Sequence, residues 1–350
     1  MRTLVVRPDS MGDVLLAGPA VRALAATSTS LTMLVGPLGA GAASLLPGVD
    51  EVVRWGFPWI LADPPDVAEG DVATLVGRLR RGRFDRAVVL TSFHQSALPT
   101  ALLLRLAGVS WIGAYSEDYP GSLLDLRLAP PGPVPEAERS LRLAQEAGGA
   151  LPAGDDGRLR VTGLLPDVAD LVPSGPYVVL HPGTSAPARA WPLERFVEAA
   201  RLLVATGSSV VATGAPSETS LTAALTEAGA IDLGGRTTLP QLAAVLAGAR
   251  AVVVGNTGPA HLAAAVGTPV VSLFAPTVPL ASWAPYGVPV QVLGDQTAAC
   301  AATRALTCPV PGHPCLAAVT ATDVQLAVEK LADTNEFDDT QLDEEGETQR

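Results

Sequence analysis

Short apolar runs rich in β-branched residues alternate along the chain with longer Ala/Leu/Arg segments of helical period. In the first half, Leu4–Arg7, Leu31–Val35, Glu51–Arg54, Arg86–Thr91 and Val109–Gly113 read as strands, and Val14–Ala26, Asp71–Arg81 and Ser96–Ala107 read as helices between them. A Pro/Gly-rich stretch, APPGPVP from Ala129 to Pro135, precedes a helix-like EAERSLRLAQEAG and then irregular sequence to about Ser174, which marks a junction. A second series follows: Tyr177–His181, Ser209–Thr213, Ile231–Leu233, Ala251–Gly255 and Pro269–Phe274. Strand and helix in steady succession predict parallel sheets built from βαβ units, here two Rossmann-like α/β domains covering 1–165 and 170–322. A last helix over 323–335 is expected to pack back across the junction, and 336–350 reads as an acidic, disordered tail.

Composition narrows the function classes. The chain has 350 residues, is 48% hydrophobic and carries a formal net charge of −12. That charge argues against nucleic acid as a partner and against general attraction to an anionic membrane surface. Three cysteines are too few for a disulfide framework and fit a reducing, cytoplasmic setting. The N-terminus lacks the pattern of a signal peptide, and no run of eighteen apolar residues predicts a membrane span. Lys330 is the only lysine, so arginine supplies nearly all the fixed positive charge.

Ligands of open α/β sheets bind beyond the carboxyl ends of the strands, so chemistry is expected in the loops there. In the second half three strand ends are alike: VVLHPGTSAPARAW, VVATGAPSETS and VVVGNTGPAHLAAAVG. Each combines glycine with Thr, Ser or Asn, allowing backbone N–H groups close to a ligand, and the common target of such loops is an anion. Thr184, Ser185 and Gly214 belong to the first two. In the third, Thr257 is placed to cap a helix that opens with Gly258 and Pro259 and contains His261, and the helix N-terminus directs N–H groups and a positive dipole outward. Arg189 can add a bidentate charge for a diphosphate.

In the first half, SMGDVLLAGPAVRALAA puts Asp13 where a helix begins after the first strand. Ser10 or Asp13 can serve simply as a helix cap, or Asp13 can act as a general base at the mouth of the fold. Gly12 beside it would let a ligand approach the backbone closely. His94 and Gln95, after the fourth strand, stand where a substrate could meet them or where a solvated or hydrogen-bonded loop would place them equally well. Asp118 and Tyr119 extend the same wall. VGPLGAG, from Val35 to Gly41, lacks dinucleotide-loop spacing and reads as a turn and helix start. Cys300, Cys308, His313 and Cys315 have zinc-binding chemistry but no short-spaced cysteine pair, and a reduced, partly buried loop is the expectation.

Taken together and in order, RPDSMGDVLLAGPAVRAL, HPGTSAPARAWPLERF, TGAPSE and GNTGPAHLAAAVGTPVVSLFAPT resemble glycosyltransferase family 9, the lipopolysaccharide heptosyltransferase family, over residues 1 to about 330. The resemblance implies GT-B architecture, with an acceptor-side N-terminal domain, a nucleotide-sugar donor domain and a central cleft. It further implies inverting transfer of a heptose or related sugar from a nucleoside diphosphate to a lipid-linked or cell-envelope glycan, with no metal or other cofactor. Asp13 would be the general base, Arg189 would stand where many members have lysine at the donor diphosphate, and Glu218 would face the ribose. Asn256 would stand beside the donor sugar where heptosyltransferases usually have Asp, while Thr257, Gly258 and His261 would line the diphosphate pocket. The expected location is the cytoplasm, with visits to the inner membrane face. A sugar-nucleotide epimerase and a non-catalytic nucleotide-sugar binder are the alternative readings.

Overall fold

In a computed structural model, which describes residues 1–61 and 64–332, the chain divides into two compact units, Met1–Gly163 and Leu164–Arg350. The expected acidic tail lies outside the described residues.

The first unit contains strands β1 (Arg2–Arg7), β2 (Ser30–Val35), β3 (Glu51–Arg54), β4 (Arg86–Val89), β5 (Trp111–Tyr115) and β6 (Leu126–Leu128). They form one sheet in the order β3-β2-β1-β4-β5-β6, and every pairing is parallel. Its helices are α1 (Met11–Leu16), α2 (Gly18–Ala25), α3 (Ala40–Ala43), α4 (Glu69–Gly82), α5 (Leu98–Leu106) and α6 (Glu136–Glu146). The single helix expected over Val14–Ala26 is two. Pro19 has no N–H to give to the carbonyl four residues back, so α1 ends at Leu16 and the chain restarts as α2. Continuous burial along β1 and β4 reflects a sheet covered on both faces. Leu4, Val6, Val89 and Ile112 meet Leu75, Leu79 and Leu104 in one apolar core.

The second unit repeats the plan with β7 (Tyr177–His181), β8 (Ser209–Ala212), β9 (Ile231–Asp232), β10 (Ala251–Gly255), β11 (Val270–Leu273) and β12 (Val290–Leu293). Their order, β12-β11-β10-β7-β8-β9, is that of the first sheet read from the other edge. Between them run α7 (Leu193–Ala205), α8 (Thr219–Thr226), α9 (Leu239–Ala247), α10 (Gly258–Ala265), α11 (Leu280–Trp283) and α12 (Pro314–Ala317). The edge strands β6 and β12 are only three and four residues long, too short for the periodicity to disclose them.

The segment 136–146, expected at the junction, is helix α6 of the first unit. The irregular chain after it is anchored by Asp155, which accepts from Arg22 Nε and Nη2 at 2.6 and 2.8 Å. The last helix, α13, covers 321–332. Val324, Ala327, Val328 and Leu331 form a stripe at helical spacing that is buried with Trp191, Phe196 and Leu316 in the second unit's own core. Its apolar stripe is therefore used within that unit's core. Among the described residues no helix is long and apolar enough to cross a membrane.

In both sheets the strand order reverses direction beside the first strand, between β1 and β4 and between β7 and β10. The loops at those two switch points are where an open α/β sheet leaves a crevice for a ligand.

Candidate functional site

At the first switch point, β1 ends in a buried cation. Arg7 is fully buried, and a guanidinium there is tolerated only if its charge and N–H groups are met. Its Nε lies 3.1 Å from Asp9 Oδ2, its Nη2 3.0 Å from Asp13 Oδ1 and its Nη1 3.4 Å from Glu136 Oε2. Nη2 also donates to Ser92 Oγ at 3.2 Å. Glu136 is shared with Arg139, which pairs with it at 3.4 Å, donates to the Thr91 carbonyl and stacks 4.5 Å from the Tyr115 ring centre. Three carboxylates thus face two guanidiniums, and against the burial that pulls the other way these carboxylates hold Arg7 charged over an even wider pH range than usual.

Asp13 sits in the first turn of α1. Ser10 donates to its Oδ2 from both the backbone N–H, at 3.3 Å, and the hydroxyl, at 2.7 Å. The cap reading of Asp13 is therefore satisfied, while Oδ1 is turned to Arg7 and the side chain keeps 18% exposure. Asp9 is deeper, at 8% exposure. Gln95 Nε2 donates to Asp9 Oδ1 at 2.5 Å, and Gln95 Oε1 accepts the Ser92 N–H at 3.0 Å. Burial is the largest influence on Asp9. It outweighs Arg7 and, with the Asp13 charge adding to it, raises the carboxyl to about 6.

Gln95 ties the β4 loop to the β1 loop through Asp9, and Gly12 is buried in the first turn of α1. His94 is exposed and meets Phe93 edge to face at 5.2 Å. Arg7, Asp9, Ser92 and Glu136 were not among the expected site residues. An arginine closing an otherwise apolar strand, with acids two and six residues later, was the available signal.

At the second switch point, β7 ends at His181, whose Nδ1 is 3.0 Å from Thr213 Oγ1 after β8 and whose Nε2 is 3.9 Å from Glu218 Oε2. Burial lowers the His181 pKa to about 4 against the pull of Glu218, so the imidazole is neutral at pH 7. Glu218 accepts the Ala215 N–H at 2.7 Å and folds back over Gly183. A Cβ at Gly183 would stand 2.1 Å from Glu218 Cδ, so only glycine leaves that carboxylate its place. At Gly214 a Cβ would meet Thr222 Cγ2 at 2.9 Å. Thr184 and Ser185 line the same β7 loop, with Ser185 exposed.

Arg189 lies in a 3-10 turn, Pro187–Arg189, and its carbonyl oxygen would be 3.2 Å from a Cβ at Gly255, so the β7 and β10 loops are in contact. Thr257 is the N-cap residue of α10 by its extended backbone, but its hydroxyl makes no cap bond, contrary to the expected side-chain cap. Gly258 opens α10, and His261 is buried in it. Asn256 is buried and faces Ala275 after β11 with both halves of its amide. Oδ1 accepts the Ala275 N–H at 3.4 Å and Nδ2 donates to its carbonyl at 3.5 Å. The Asp that the resemblance leads one to expect here would set an anion against that carbonyl. Asn256→Asp is therefore expected to lower the thermal midpoint by a few degrees, the effect of about 1–3 kcal/mol for an unsatisfied buried group, as read by calorimetry. An unchanged midpoint would show that the amide pairing contributes nothing.

The Cys/His segment braces this site. The Ala188 N–H donates to the Leu306 carbonyl at 2.9 Å, and His313 Nε2 is 3.1 Å from the Ala188 carbonyl. Cys308 Sγ is 3.3 Å from the Val310 carbonyl. Among the described residues no three His, Cys, Asp or Glu side chains gather as metal ligands.

Two Rossmann-type sheets of the same strand order, each with polar and charged side chains gathered at its switch point, give the fold of the GT-B class. The model of glycosyltransferase family 9 (heptosyltransferase) matches residues 72–313, and the chain belongs to that family. It is 31% identical over 310 residues to lipopolysaccharide heptosyltransferase 1 of Pseudomonas aeruginosa, covering 80% of each protein. Its fold is shared with ADP-heptose lipopolysaccharide heptosyltransferase II of Escherichia coli, at TM-score 0.73 and 22% identity over 96% of this chain and 100% of the other. It is also shared with the E. coli heptosyltransferase WaaC, in a structure with ADP-2-deoxy-2-fluoro heptose, at TM-score 0.70 and 23% identity over 94% and 99%. The protein is thus a glycosyltransferase.

Proposed function

We propose that this glycosyltransferase moves a heptose or closely related sugar from an ADP-linked donor to a glycolipid or other cell-envelope glycan, with inversion, at the cytoplasmic face of the membrane. The observation that carries the reading is the coincidence of family membership with the expected residues at the switch points: Asp13 in the first unit, and Glu218, Arg189 and the start of α10 in the second. Relatives named as lipopolysaccharide heptosyltransferases favour a lipopolysaccharide acceptor, and a neighbour holding an ADP-heptose analogue favours that donor.

In this mechanism Asp13 takes the proton of the acceptor hydroxyl as its oxygen attacks the anomeric carbon. The bond to the nucleoside diphosphate breaks on the opposite face, and the negative charge passes to the departing phosphate. Arg189 and the N–H groups opening α10 stabilise that charge, a task that positive dipole ends and a guanidinium perform with no need of a metal. Glu218 accepts from the ribose hydroxyls. The neutral Asn256 amide stands beside the donor sugar.

A panel of ADP-heptose, ADP, GDP-, UDP- and dTDP-sugars tests the donor by thermal stabilisation. ADP-heptose and ADP at about a hundredfold above Kd should raise the midpoint by about 5 °C or more. Stabilisation by another base with none from adenine nucleotides would overturn the ADP assignment, and no shift with any member would overturn the donor site.

A further inference from the structure

The base proposed above shares its arginine with a second carboxylate that cannot reach a substrate. Asp9 is 8% exposed and lies on the Nε edge of Arg7, while Asp13 takes Nη2 of the same group. Its other oxygen is clamped by Gln95, which is itself fixed by the Ser92 backbone. We propose that Asp9 is a positioning residue for Asp13, holding the Arg7 guanidinium in register and taking part of its charge, so that Asp13 keeps its orientation and enough proton affinity to act as a base. This rests on Asp13 being that base.

The charge count explains the arrangement. Arg7 and Arg139 bring two positive charges, and Glu136, buried between them on α6, cancels one. With Asp9 uncharged, the remaining positive charge falls on Asp13, and a carboxylate matched one-to-one with a guanidinium is a weak base. An ionised Asp9 divides that charge. The titratable and charged groups facing Arg7 include Asp9 and Asp13 on the chain after β1 and Glu136 and Arg139 on α6, with the Tyr115 hydroxyl of β5 donating to the Arg139 carbonyl at 3.0 Å. Ser92 and Gln95 from the β4 loop complete it as neutral partners.

Because Asp9 holds its proton to about 6 in the folded chain, against an ordinary value of 3.8, the folded state binds more protons than the unfolded chain between those values. The stability that Asp9 contributes by holding this proton is full below pH 3.8 and is lost as the pH rises to about 6.

The test is Asp9→Asn, which keeps the shape and removes the charge, with Gln95→Ala, which keeps the charge and removes the clamp. Turnover is followed as ADP release from ADP-heptose with heptose-free lipopolysaccharide as acceptor. In Asp9→Asn, kcat should fall about tenfold with the KM for ADP-heptose unchanged, and the acidic limb of kcat should move to lower pH by about half a unit or more. The thermal midpoint should lose part of its decline between pH 4 and 6, and a side-chain carboxyl signal titrating near 6 in the 13C spectrum of the ligand-free chain should vanish. Gln95→Ala should lower kcat about threefold and keep that signal. An unmoved acidic limb and kcat in Asp9→Asn, with Asp13→Asn inactive, would overturn the inference while leaving the base assignment standing. Activity in Asp13→Asn would remove the base assignment itself.

Discussion

Replacing Asp13 by Asn is expected to lower the turnover number for sugar transfer by about 10²–10⁴-fold, the usual worth of a positioned general base. The substitution is conservative for the fold. The amide oxygen of Asn can still accept from the Ser10 hydroxyl and N–H, so the first turn of α1 keeps its cap bonds. What it loses is the proton acceptor and the ion pair with Arg7 at 3.0 Å, and the Asn NH2 then faces a guanidinium that can only donate. Stabilisation by ADP-heptose should persist, because the expected donor residues all belong to the second unit. A variant that turns over within a few-fold of the parent would leave Asp13 as a cap and nothing more. The combination of lost turnover and retained donor binding separates a base from a folding residue, since a collapsed β1–α1 corner would register in the thermal midpoint first.

The second large effect is expected at Gly183, a residue with no functional groups of its own. Introducing a methyl group there places it 2.1 Å from the Glu218 carboxyl carbon. The obstructing atoms are the far end of a flexible side chain, so the backbone stays and the Glu218 carboxylate moves. Gly183→Ala and Glu218→Ala should therefore behave alike, each weakening ADP binding about tenfold or more while leaving the fold intact. Titration calorimetry with ADP reads this directly. Parental affinity in Gly183→Ala, alongside weakened binding in Glu218→Ala, would mean that the nucleotide accepts a displaced carboxylate. Parental affinity in both would remove Glu218 from the nucleotide site.

How much of this was legible beforehand differs between the two units. In the second, the expected donor residues lie in three loops that each follow a strand directly, and loops of that kind inherit their place from the strand. Once VVLH, VVA and VVVG were recognised as neighbouring parallel strands, Glu218, Asn256 and Thr257 had to emerge at one end of one sheet. Even here, chemistry at close range escaped the reading. The Thr257 hydroxyl makes no cap bond, Asn256 is engaged by Ala275, and His313 braces the Arg189 turn where a metal had been entertained. Each outcome depends on which backbone group a folded loop presents, and no periodicity records that.

In the first unit the sequence located Asp13 and left open whether it caps a helix or acts as a base. The structure makes the cap bonds visible and adds the Arg7 cluster around them. The place of Gln95 after β4 left open an acceptor contact or a hydrogen-bonded loop, and the structure shows its amide holding Asp9. Residue type and position could not distinguish these roles, because a glutamine at a strand end offers the same groups to a sugar as to a buried acid.

The amino-acid sequence by itself determined the alternation of strand and helix, the two-unit plan and the strand ends that carry Gly, Thr, Asn and Asp, because hydrophobic period and turn chemistry act over a few residues. The tertiary structure alone decided the partners of the buried charges. Arg7 meets Glu136 across 129 positions, and Gln95 meets Asp9 across 86. The second pair forms because the parallel register sets Val6 of β1 beside Val89 of β4, bringing the two following loops to the same level above the sheet, and the first because α6 starts beside the end of β1. Burial at that level, which no stretch of sequence specifies, is what raises Asp9, while the three carboxylates keep Arg7 charged against that same burial.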